Sequence, residues 1–261
     1  MLKQRGQTDC LVIVCPVTMM GGWKKEIEKF VPGKYKVRTA EGTADQKRRE
    51  VLSPFDVLIC NFESIPSLLV ALKGVLGTKK ATLAVDESFN VKNRDAFRSV
   101  AVRELRDSCM KGFVMCGTPA PNSAIDVISQ FDIADNGYTF AGFIPPKNEE
   151  DRTIRINERI EQKGAYVRRL KEQVLPMLPE KNFSLVSITM TGRQASLYEE
   201  ARKRLELSLK SMDNETFRKS LATYFQQRSA LLQICACPEA VDPTFSDTSA
   251  KLERSIRLSK R

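Results

Sequence analysis

Apolar positions in the first two-thirds of the chain fall into short unbroken runs, separated by stretches where they recur every three or four residues. Residues 11–15 (LVIVC) form a continuous, β-branched run of the kind found in a strand covered on both faces. After Gly21-Gly22 the spacing changes, and Trp23, Ile27 and Phe30 share one face of a helix that Pro32-Gly33 ends. Residues 36–39 read as a second, shorter strand, 56–60 (DVLIC) as a third, 82–85 (TLAV) as a fourth and 113–116 (FVMC) as a fifth. A helix over 65–75 follows the third strand. Short apolar strands spaced by helices predict an α/β fold, a parallel sheet with helices on both faces.

From about residue 136 the pattern changes. Residues 137–146 read as loop, 148–178 as charged and mostly helical, and 183–190 (FSLVSITM) alternate as a single strand should. With Thr191 as N-cap, Leu197, Ala201, Leu205 and Leu209 predict one arm of a helical hairpin, and residues 215–235 the other. From Ser249 the tail is basic and reads as frayed. The expected division is a sheet domain over 1–135, a helical connector over 136–248 and a lead-in or basic tail over 249–261.

Composition narrows the function classes. With 42% hydrophobic and 28% charged residues, the 261-residue chain is globular rather than disordered or fibrous. Pro16 breaks the most apolar opening stretch, and no run of about 18 apolar residues exists, which argues against a membrane span or secretory signal and for an intracellular protein (cytoplasm, nucleoid or nucleus). The chain has no histidine, which removes Ser–His and Cys–His catalysis and imidazole metal sites. A net charge of +10 favours an anionic partner such as nucleic acid, or serves solubility. Of seven cysteines, Cys15, Cys60 and Cys116 lie in or beside apolar runs and read as buried reduced thiols, while Cys235 and Cys237 form a C-x-C without a second pair at zinc spacing.

Three places carry candidate chemistry. Asp86-Glu87 ends a buried strand, where ligands of open parallel sheets bind. Adjacent carboxylates there can divide labour, one holding Mg²⁺ and the next polarising an attacking water; an acid pair that caps a helix is the ordinary alternative. Gly117-Thr118-Pro119 follows the fifth strand as either a phosphate-sensing turn or a plain tight turn with Asn122 or Ser123 capping the next helix. Cys15-Pro16-Val17-Thr18, leading to Trp23, offers backbone N–H groups to phosphate, or is an ordinary strand-to-helix loop.

Taken together and in order, these segments resemble the Swi/Snf-type DNA-dependent ATPases of helicase superfamily two. LVIVCPVTMMGGWKKEIEKF resembles motif Ia, DVLICNFE the strand before motif Ib, LAVDESFNVKN motif II and GFVMCGTPAPNS motif III. RRLKEQVLPMLPEK and LLQICACPEA resemble the family's connector between lobes, and SAKLERS the lead-in to the second lobe. The resemblance implies a RecA-like first lobe that binds ATP·Mg²⁺ and grips duplex DNA. By motif match Asp86 would coordinate Mg²⁺ and Glu87 act as general base, while Gly117, Thr118 and Pro119 would couple nucleotide state to DNA. Pro16 and Thr18 would belong to the DNA-contacting region, with Trp23, Lys92 and Asn93 in support.

The departures are as informative. No G-x-x-x-x-G-K-[ST] loop occurs in the sequence, and only ten residues precede Leu11, where that loop and its strand belong. Motif II has Ser88 and Phe89 where Ala and His are usual, and Cys237 stands at the connector's histidine. The second lobe's arginine-bearing motifs are absent as well. The expected architecture is therefore an incomplete RecA-like sheet lacking the P-loop strand, with the fifth strand left at an unpaired edge. The expected function is one part of a Swi/Snf-type motor, with a second chain supplying the P-loop and second lobe and with negligible hydrolysis by this chain alone. The alternative is a non-catalytic DNA-binding or interaction module derived from the same fold.

Overall fold

A computed structural model describes residues 3–163, 166–175, 177, 179, 182–190 and 192–259. The expected N-cap at Thr191, connector positions 176, 178, 180 and 181, and tail positions 260 and 261 lie outside the described residues. The chain divides into two units, Met1–Leu170 and Lys171–Arg261.

In the first unit, β1 (Cys10–Cys15), β2 (Val37–Thr39), β3 (Val57–Asn61), β4 (Ala81–Asp86) and β5 (Lys111–Met115) form one sheet. Every pairing is parallel and the order is β2-β3-β1-β4-β5. The helices are α1 (Val17–Phe30), α2 (Ala44–Leu52), α3 (Ile65–Leu76), α4 (Phe97–Arg106), α5 (Asp126–Asp135) and α6 (Glu149–Lys163). Alternate residues of β1 feed two cores. Val12 and Val14 join Leu58, Leu83 and Val85 against Leu68 and Leu72 of α3 and Val102 and Leu105 of α4. Ile13 and Cys15 join Ile59 and Ala84 against Met20, Trp23 and Ile27 of α1. Burial on both faces explains why β1 reads as an unbroken apolar run.

Several boundaries differ from expectation. Helix α1 begins at Val17, because Pro16 ends β1 with a φ of −57° already suited to a helix start, so Gly21 and Gly22 lie inside the helix. Phe30 points away from the core and is 71% exposed. The sequence pattern did not announce α2 or α4. The helix expected after Asn122 and Ser123 is α5, which starts at Asp126 without a side-chain cap, the Ser123 hydroxyl donating instead to Glu149. Helix α2 buries only Val51 and starts on a reciprocal cap, in which the Thr43 hydroxyl accepts from the Gln46 N–H and the Gln46 side chain accepts from the Thr43 N–H.

A buried guanidinium ties the outer side of the sheet together. Arg106, 5% exposed at the end of α4, donates from Nε to the Ile133 carbonyl at 2.7 Å and from Nη1 to the Cys109 carbonyl at 2.5 Å. The first bond satisfies one of the free carbonyls in the last turn of α5. Gly112 of β5 passes against the same place. A Cβ there would run into the Ile133 carbonyl oxygen and lie 2.5 Å from the Arg106 Nε. Helix α6 also belongs to this unit, with Ile156 packed among Val127, Phe131 and Phe140.

The second unit contains α7 (Lys171–Val174), α8 (Gly192–Lys210), α9 (Asn214–Lys219), α10 (Leu221–Ala236) and α11 (Ala250–Ser259). The expected second hairpin arm is interrupted at Ser220. Residues 183–190 do not form the expected strand: no neighbouring strand meets them, and Phe183 and Leu185 are almost fully exposed. The tail is helical as far as Ser259 rather than frayed, because it is anchored at its start. The Ser249 hydroxyl accepts from the Leu252 N–H, and the buried Gln194 accepts from the Ala250 N–H while donating to the Ile234 carbonyl. All seven cysteines are free thiols and four are buried. Burial pushes Cys15, Cys60 and Cys109 up to about 12. Among the described residues no helix is long and apolar enough to cross a membrane.

Candidate functional site

A parallel sheet delivers the ends of all its strands to one rim, and the three candidate segments share it. Register places Val14 beside Val85, Cys15 beside Asn61, and Asp86 beside Met115, so the loops opening at Pro16, Glu87 and Cys116 leave from neighbouring strands.

Asp86 is held by two donors. Its Oδ1 accepts from the Glu87 backbone N–H at 2.9 Å, and its Oδ2 accepts from the Trp23 indole Nε1–H at 2.8 Å. Among the described residues no lysine or arginine lies within ion-pair distance of Asp86 or Glu87. Burial and, after it, the neighbouring Asp86 charge both hold the Cys15 thiol well above its ordinary pKa.

Glu87 occupies the left-handed region, with φ 49° and ψ 52°. The Asn90 N–H and Nδ2 both donate to the Glu87 carbonyl, at 3.0 and 2.9 Å, and stabilise the turn. A non-glycine residue here costs about 1–3 kcal/mol. Replacing Glu87 with glycine is therefore expected to stabilise the fold by about 0.5–1 kcal/mol after the unfolded-state entropy of glycine is subtracted, even as it removes the carboxylate. Urea unfolding of Glu87→Gly beside the native chain measures this, and an unchanged or lower midpoint would contradict it.

The next residue makes a connection that the sequence did not disclose. The fully buried Ser88 hydroxyl donates to Gln130 Oε1 at 2.6 Å, and Gln130 Nε2 donates to the Pro119 carbonyl at 2.5 Å. Gln130, on α5, thus links the carboxylate loop to the turn at Gly117, Thr118 and Pro119. Gly117 and Thr118 are exposed beyond it. No local pattern marks Gln130, because its role depends on α5 crossing behind both loops.

Pro16 and Thr18 sit at the exposed start of α1. Lys92 and Asn93 lie elsewhere. Lys92 is 3.6 Å from Asp126, and both residues line a cavity of about 780 Å³ with Arg94, Asp132 and Phe140, to which Asp86 does not contribute. Among the described residues no cluster of three or more His, Cys, Asp or Glu side chains could hold a metal alone. A single carboxylate with lone pairs to spare does suit Mg²⁺, which keeps most of its waters and takes one or two carboxylates plus substrate phosphates.

Comparison with known proteins gives a consistent answer. The family model for the SNF2-related domain matches residues 1–240. YwqA of Bacillus subtilis is 26% identical over 266 residues, covering 95% of this chain and 28% of that protein. An uncharacterized ATP-dependent helicase of Mycoplasma pneumoniae is 24% identical over 268 residues, covering 98% of this chain and 24% of its own length. The chain thus spans about a quarter of the curated relatives it matches. The Sulfolobus solfataricus SWI2/SNF2 ATPase core, solved in complex with dsDNA, superposes with a TM-score of 0.52 at 19% identity, over 99% of this chain and 55% of that one. The fold is of the same RecA-like α/β kind.

Proposed function

Because the chain belongs to the SNF2-related domain family, we propose that it is the nucleotide- and DNA-facing part of an ATP-driven DNA translocase, working inside the cell where the duplex is. The observation that carries this reading is the meeting of Asp86-Glu87, the turn at Gly117 to Pro119, and the loop at Pro16 to Trp23 on one rim of the sheet.

In this reading Asp86 would hold Mg²⁺, which would supply charge neutralisation at the ATP phosphates. Glu87 projects from a turn fixed by Asn90 and orients and polarises the attacking water. Ser88 and Gln130 carry displacement of the carboxylate loop to the turn at Thr118, so nucleotide state and DNA grip can move together. Pro16 and Thr18 meet the duplex backbone at the start of α1, where unpaired N–H groups favour phosphate.

The 261 residues contain no G-x-x-x-x-G-K-[ST] loop. Without its amides and lysine the phosphates lack their main electrostatic cradle, so these 261 residues on their own are expected to turn ATP over negligibly.

Two measurements test the proposal. Purified chain with Mg²⁺ and ATP, with and without duplex, is expected to show no turnover above background; DNA-stimulated turnover abolished by Glu87→Gln would mean that the chain provides its own cradle. Duplex affinity is expected to fall linearly with salt on a log–log plot, as counterion release requires. A slope near zero removes the DNA-facing role.

A further inference from the structure

We propose that Trp23 is a positioning residue for the metal-binding carboxylate, fixing the orientation of Asp86 through its indole N–H; this rests on the reading of Asp86 as the Mg²⁺ ligand. The geometry supplies the argument. A carboxylate held at one oxygen swings about its terminal torsion, which is broad for aspartate. The Glu87 N–H anchors Oδ1, and the Trp23 Nε1–H, coming from a different element, anchors Oδ2. With both oxygens held, the carboxylate plane is set.

The identity of the donor matters. Indole nitrogen donates only and carries no charge, so it orients the carboxylate without neutralising it, whereas lysine or arginine at the same place would compete with a divalent cation. Each oxygen accepts one bond and keeps a further lone-pair direction free. Trp23 is itself held, half-buried, in the core between α1 and the sheet with Ile13, Cys15 and Met20. The donor is therefore preorganised, and the arrangement matches metal sites in which a neighbouring group aims the ligand and its loss weakens binding about 10- to 100-fold.

Trp23 is the chain's single tryptophan, so every indole signal reports on this contact. Mn²⁺ serves as the probe for the Mg²⁺ position. Saturable quenching of tryptophan emission by Mn²⁺ is expected in the native chain and is lost in Asp86→Asn. Free Mn²⁺ measured by electron paramagnetic resonance is expected to show about ten-fold weaker binding to Trp23→Phe. In the ¹⁵N–¹H spectrum the lone indole resonance is expected to shift, and its solvent exchange to speed up at least several-fold, in Asp86→Ala.

Mn²⁺ binding to Trp23→Phe equal to native overturns the positioning role and leaves Asp86 as the ligand. An indole resonance indifferent to Asp86→Ala also overturns it, even if Trp23→Phe proves too unstable to study. Absence of saturable Mn²⁺ binding by native chain whose indole does respond to Asp86→Ala overturns the metal reading of Asp86 itself, and the positioning proposal with it.

Discussion

Replacing Arg106 with methionine is expected to lower the stability of the first unit by about 3–5 kcal/mol. Two effects add. Each charge-assisted bond, to the carbonyls of Ile133 and Cys109, contributes about 1.5–3 kcal/mol. Methionine fills much of the volume but leaves both carbonyls without a donor in a place where water has little access. The loss is concentrated where α4, α5 and β5 meet, so β5 should detach first. Gly112→Ala attacks the same junction from the other side, since its methyl would collide with the Ile133 carbonyl, and about 3 kcal/mol is expected from overpacking against backbone. Because the two substitutions disturb one junction, the double variant should be less destabilised than the sum of the two. Urea unfolding followed by circular dichroism measures all three. A loss below about 1 kcal/mol for Arg106→Met would show that water replaces the guanidinium.

The second large effect concerns association. Among the described residues strand β5 pairs only with β4, and on the sheet face opposite α5 its Phe113 is 50% and Met115 37% exposed. An outer strand with an apolar face and a free row of backbone groups is a template for another chain. The purified chain is expected to self-associate as its concentration rises, and Phe113→Lys is expected to return it to monomer, because an outward lysine blunts an edge. Light scattering over a dilution series reads both. A native chain that stays monodisperse and monomeric at every concentration would contradict the expectation.

How far the sequence could be read depended on where the information was stored. Strands β1, β3 and β4 were legible because burial on both faces forces continuous apolar runs, and Asp86-Glu87 because it follows such a run directly. Helix α2 was silent: it meets the core through Val51 alone and owes its start to a cap. Residues 183–190 show the converse failure. Their alternation is real, but a strand also needs a partner for its backbone, and none of the described strands provides one. The contacts that organise the rim (Trp23 to Asp86, and Ser88 through Gln130 to Pro119) join residues 63, 42 and 11 positions apart. No local pattern records such distances; they exist only once the sheet has aligned its strand ends.

The left-handed turn at position 87 bears on how this gene can drift. Glycine tolerates such a backbone freely, and asparagine and aspartate tolerate it better than glutamate does. One nucleotide change can convert a glutamate codon to one for glycine or aspartate. Random substitution freed from any requirement for the carboxylate would run downhill in folding energy at this codon, toward residues that sit more easily. Glu87 stands on the uphill side of that slope. In a lineage of such genes, replacement of this glutamate by glycine would date the moment when the chemistry ceased to matter, well before the buried strands lost their pattern.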